Sequence, residues 1–102
     1  MTMEKVVVDG NVKVLYSPGY GAGFYTWGAP VEAIFDPKLI KLVEDKNIEE
    51  ASSYVEKTYD AYTGGVEQLR VALIPEGNRF IIDEYDGEEG IQLLDSVNYL
   101  IA

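Results

Sequence analysis

The stretch Val6-Val7-Val8-Asp9-Gly10-Asn11-Val12-Lys13-Val14-Leu15-Tyr16 decides how this chain folds. Two β-branched runs flank Asp-Gly, a dipeptide that accepts the positive φ angles of a tight reversal. The reading is an antiparallel hairpin with strands at about 4–8 and 12–16. Val12, Val14 and Tyr16 share one face and Lys13 lies opposite, because side chains alternate along a strand. The same alternation returns at 66–74, where Leu69, Val71 and Leu73 fall on one face. Pro75-Glu76-Gly77-Asn78 is a turn, and Arg79–Tyr85 follows it. These two runs are expected to pair as a second hairpin across a four-residue connection. Asp86-Gly87-Glu88-Glu89-Gly90 reads as a further turn, with short strands expected at Ile91–Leu94 and Val97–Ile101.

Helical spacing occupies the middle. Val31–Phe35 forms a turn after Pro30. Asp36-Pro37 then supplies an N-cap and a first-turn proline. Leu39, Ile40, Leu42 and Val43 recur at helical spacing as far as Asp45 or Lys46, and Asn47 is a stop. A second helix is expected over 48–59. Its buried stripe is Ile48, Ala51, Val55 and Tyr59, and Glu49, Glu50, Glu56 and Lys57 face water. The fold class is therefore α+β, a small antiparallel sheet built from hairpins packed against two short helices. The 102 residues are expected to form a single domain.

Composition narrows the chemistry. There is no cysteine and no histidine, so disulfides, thiolate or imidazole metal ligands and Ser-His-Asp triads are excluded. Eighteen acids against eight bases give −10, a charge that argues against contact with nucleic acids or anionic membranes. No apolar run approaches the ~18 residues of a membrane span. Val6-Val7-Val8 is too short for a signal-peptide core, so the expectation is cytoplasmic. Eight tyrosines are many for this length, and tyrosine serves both core rims and binding surfaces.

Two stretches are candidate sites. In the loop 17–30, four glycines and two prolines rule out a regular helix or central strand. Its Gly19, Tyr20, Gly21, Gly23, Tyr25 and Trp27 are candidate ligand-binding residues: glycine amides for an anion, rings for stacking. The spacing matches neither GxGxxG nor a P-loop, and glycines that let aromatic rings pack closely on the backbone are the first reading of the loop, ahead of ligand binding. The stretch 83–95 carries six acids and no Lys or Arg. Its Asp83, Glu84, Asp86, Glu88 and Glu89 are candidate partner-binding residues that would steer a basic protein. An EF-hand fails, because placing Gly87 sixth puts Ile82 first. No metal, cofactor or catalytic residue is assigned. Residues 1–51 hold five bases and eight acids (−3), and residues 52–102 hold three and ten (−7), so the two candidate surfaces look separable.

Tyr16-Ser17-Pro18-Gly19-Tyr20-Gly21-Ala22-Gly23-Phe24-Tyr25-Thr26-Trp27 resembles a segment shared by a family of small, uncharacterised proteins of tailed bacteriophages. Ile34-Phe35-Asp36-Pro37, Tyr62-Thr63-Gly64-Gly65, Pro75-Glu76-Gly77 and Asp83-Glu84-Tyr85-Asp86-Gly87 are similar to the same family. The resemblance implies a phage accessory protein at work in the bacterial host cytoplasm; it carries over no activity and no site residues. The resulting expectation is a non-enzymatic protein that binds and modulates a host protein as an inhibitor or anti-defence factor. The candidate partner is a basic nucleic-acid-binding enzyme. The alternatives are a small-ligand or nucleotide-sequestering protein acting through loop 17–28, and, third, a carboxylate-based hydrolase. A homodimer formed through a sheet edge is a further expectation.

Overall fold

The computed structural model describes residues 4–19, 23–61 and 63–93. Its elements are β1 (Val7–Val8), β2 (Asn11–Tyr16), α1 (Val31–Phe35), α2 (Pro37–Glu44), α3 (Ile48–Tyr59), β3 (Arg70–Pro75), β4 (Phe80–Tyr85) and β5 (Glu88–Leu93). Single 3-10 turns lie at Tyr25–Trp27 and Val66–Gln68. The class is α+β: an antiparallel sheet in the order β1-β2-β3, a separate ribbon β4-β5, and three short helices.

The first hairpin closes at the expected turn, but its first strand is only Val7–Val8 rather than 4–8. Asp9 and Gly10 hold φ at 52° and 79°, and Val8 and Val7 face Asn11 and Val12. Asp86-Gly87 repeats the device, with φ at 49° and 85°. The expected turn over 86–90 is therefore only two residues long, and Glu88 already pairs with Tyr85. The shorter turn changes the facing of every residue after it, because side chains alternate from the first paired residue.

The expected β3–β4 hairpin does not form. β3 pairs with β2 from Asn11 opposite Pro75 to Tyr16 opposite Arg70, which sets Ile74 beside Val12 and Ala72 beside Val14. That long-range pairing buries Val12, Val14 and Ile74 in one cluster, a gain no local reversal offers. After Pro75 the chain is turned aside. The Glu76 N–H donates to the Gly10 carbonyl (2.8 Å) and the Asn78 N–H to the Pro75 carbonyl (3.0 Å). Residues 66–68, expected as strand, form a 3-10 turn that buries Val66 and Leu69 three positions apart. Leu73, expected to share a face with Leu69, is 56% exposed.

The helices follow their caps. Asp36 Oδ1 accepts from the N–H groups of Lys38 (2.9 Å) and Leu39 (3.3 Å), with Pro37 in the first turn. Asn47, expected as a stop, caps α3 by accepting from the Glu50 N–H (3.4 Å). Ala51 and Val55 are buried and Tyr59 half-buried, whereas Ile48 stays exposed because α3 opens onto a surface groove there. Leu15, Phe24, Ile34, Leu39 and Ile40 fill the centre of the core, each large apolar side chain stabilising the fold by about 1.5–3 kcal/mol. No described helix is long and apolar enough to cross a membrane. The strand expected at Val97–Ile101, and Leu94, lie outside the described residues.

Candidate functional site

The β4–β5 register gives the ribbon two unlike faces. Phe80 opposite Leu93, Ile82 opposite Ile91 and Glu84 opposite Glu89 share one face; Ile81 opposite Gln92, Asp83 opposite Gly90 and Tyr85 opposite Glu88 share the other. The first face turns toward the body. The Phe80 ring meets Phe35 edge-on at 6.2 Å between centroids, and Glu89 is 2% exposed.

A carboxylate in that position needs partners, because an unpartnered buried acceptor costs about 1–3 kcal/mol and a charged one more. Loop 17–28 supplies them. Glu89 Oε1 accepts from the Ser17 N–H (2.8 Å). Oε2 accepts from the Phe24 N–H (2.9 Å), the Thr26 N–H (2.8 Å) and the Thr26 Oγ1 hydroxyl (2.8 Å). The Glu89 N–H donates to the Ser17 carbonyl at 2.7 Å. Ser17 Oγ reaches the Gly65 carbonyl (3.4 Å), joining the second glycine turn to the first. Phe24, 1% exposed, anchors the same loop in the core.

Glu84 holds the loop a second time. Its Oε2 accepts from Trp27 Nε1 (3.1 Å) and from the Gly87 N–H (2.6 Å). Gly19 and Gly23 are explained by close packing. A Cβ on Gly23 would lie 2.7 Å from Trp27 Cδ1, and one on Gly19 would lie 2.3 Å from Gln68 Cγ. Gly23→Ala is therefore expected to displace the indole from Glu84, red-shift the emission of the single tryptophan and cost about 1–2 kcal/mol, read by fluorescence and urea unfolding. An unshifted spectrum with unchanged stability contradicts this packing.

The two candidate surfaces are thus one unit. Of the candidate ligand-binding residues, Gly19 and Gly23 are covered by Gln68 and Trp27, and Tyr25 and Trp27 stand partly exposed. Tyr20 and Gly21 lie outside the described residues, as does Tyr62. Of the candidate partner-binding acids, Asp83, Asp86 and Glu88 face outward, and Glu84 is exposed but bonded to the loop. Glu89 does not belong to an exposed acidic face: the two-residue turn puts it in phase with Ile91 and Leu93, on the buried side. That phase is readable in the sequence once β5 is started at Glu88.

A second cluster carries no signal in the sequence beyond its cap. Asp36 Oδ2 accepts from Tyr54 Oη (2.6 Å) and from Tyr59 Oη. The two rings meet edge-on at 6.2 Å, and the Lys38 ammonium sits 5.0 Å from the Tyr54 centroid. Burial pushes the Asp36 carboxyl up, but the two phenols and the Leu39 and Lys38 amides outweigh it and hold it below the ordinary 3.8. Burial first, then the bond to Asp36, pushes the Tyr54 phenol up to about 12, and Tyr59 moves in the same direction. All three move away from neutrality, the opposite of what a general acid or base at neutral pH needs. The cluster ties α2 to α3.

Among the described residues, no three acids converge in a way that would hold a metal ion. Comparison with known proteins gives no match: no family model, curated protein or solved structure aligns with the chain.

Proposed function

We propose that this chain is a non-enzymatic acidic accessory protein, of the phage type its sequence resembles, that binds and modulates a basic host protein through the outer face of the β4–β5 ribbon. The observation that carries the reading is the division of the ribbon's acids. Glu84 and Glu89 are engaged with loop 17–28, while Asp83 and Glu88 face solvent beside Tyr85, which is 71% exposed. No Lys or Arg lies between Phe80 and Leu93 in the sequence. Clustered carboxylates with an aromatic at their centre combine electrostatic steering with a contact of large area. A basic nucleic-acid-binding enzyme fits such a face, and the bacterial cytoplasm is where it would be met.

The nucleotide-sequestering alternative has less support. The amides of Ser17, Phe24 and Thr26 are occupied by Glu89, and the indole N–H by Glu84. The test is capture from bacterial lysate at low and high salt, with bound proteins identified. Asp83→Lys combined with Glu88→Lys is expected to release the same protein that rising salt releases. Glu56→Lys combined with Glu76→Lys, an equal charge change at exposed sites elsewhere, is expected to retain it. Equal retention by both double variants contradicts the reading.

A further inference from the structure

We propose that the groove between α1, the Tyr25–Trp27 turn and β4 is the anchor pocket of this docking surface, and that it takes a phenylalanine-sized apolar side chain flanked by Lys or Arg in the partner. The proposal rests on the docking reading above and adds the residue type the partner presents.

The groove has a volume of about 420 Å³, with Tyr25, Val31 and Ile81 at its rim and Ile34, Phe35 and Phe80 among its lining. That volume falls in the ~300–1,000 Å³ range of sites that bury small groups. Among the described residues nine large apolar side chains are exposed, and three of them (Tyr25, Val31 and Ile81) meet here. Scattered apolar side chains are ordinary on a protein surface, but a contiguous set marks a contact site. The rim continues into charge. Ile81 shares the ribbon's outer face with Asp83 and Tyr85, and exposed Glu32 follows Val31. An apolar centre with a polar rim is the usual anatomy of an interface. One lining ring already receives a cation, since the Lys5 ammonium lies 5.0 Å from the Phe35 centroid. The charge also selects the occupant. A second copy would bring another −10 against the same acids, and nucleic acid or an anionic membrane would be repelled likewise.

The probe is a dye-labelled peptide, acetyl-Lys-Lys-Gly-Phe-Gly-Lys-Lys-amide, compared with its alanine counterpart by fluorescence anisotropy at ~20 mM salt. The decisive variant is Val31→Asp, at the exposed first residue of α1, where a carboxylate suits the helix and the fold is kept. The phenylalanine peptide is expected to bind about tenfold or more tighter than the alanine peptide, and Val31→Asp to abolish that difference. The added negative charge leaves the alanine peptide bound as well or better. Equal affinity of the two peptides, or a phenylalanine peptide that binds Val31→Asp as tightly as the parent, overturns the anchor and leaves the acidic face standing. If neither peptide binds at low salt, the anchor and the docking reading fall together.

Discussion

Glu89→Ala is expected to destabilise the protein by about 4 kcal/mol, a large share of the margin of a small domain whose total stability is of order 5–15 kcal/mol. The side chain is buried and takes four donors, three of them main-chain N–H groups that have no helix or strand to turn to. Removing it strands those donors, each unsatisfied group costing about 1–3 kcal/mol less whatever entering water restores. Glu89→Gln separates shape from hydrogen bonding. The amide keeps the volume but offers one acceptor oxygen and an NH2 that meets N–H donors head-on, so a loss of about 2–3 kcal/mol is expected. Urea unfolding measures both. Values within about 1 kcal/mol of the parent would mean that the loop stands without the carboxylate.

Asp36→Ala has the next largest expected effect, about 3 kcal/mol, because one side chain is both the cap of α2 and the acceptor for two phenols. The Asp36 carboxyl is held below 3.8. Its contribution is therefore complete above that value and is lost as pH falls through the still lower folded value. Tyr54 titrates near 10 when unfolded and about 12 when folded. Its contribution is complete below 10 and is lost as pH rises toward 12, and Tyr59 acts in the same sense. Stability is expected to fall on both flanks. Asp36→Ala should flatten the acid flank, and Tyr54→Phe with Tyr59→Phe the alkaline one. Thermal unfolding between pH 3 and 12 reads this. An acid flank unchanged by Asp36→Ala would assign it to other carboxylates.

What could be read from the sequence follows physical range. Asp9-Gly10, the Asp36-Pro37 cap and the 48–59 helix are local, set by backbone preference within a few residues, and each forms where its residues place it. The partner of β3 is set by burial between residues about sixty apart in the chain, so the nearer hairpin signal at Pro75–Asn78 misleads. The site was legible in its parts but not in its union. Both stretches stand out by composition, yet Glu89 looks like one more surface acid until the length of the Asp86-Gly87 turn fixes its phase. Ser17 and Thr26, which complete its coordination, are ordinary loop residues. The Asp36–Tyr54–Tyr59 contact depends on how α2 and α3 cross, which spacing within either helix does not encode.

Glu89 fuses the glycine and aromatic loop to the acidic ribbon. Amide hydrogen exchange tests it in the unaltered protein. Loop amides outside helices and strands ordinarily exchange through small local openings. The Phe24 and Thr26 amides, both bonded to Glu89 Oε2, are expected to exchange as slowly as the β2–β3 ladder. Exchange of these two amides at the rate of an unstructured loop would contradict it.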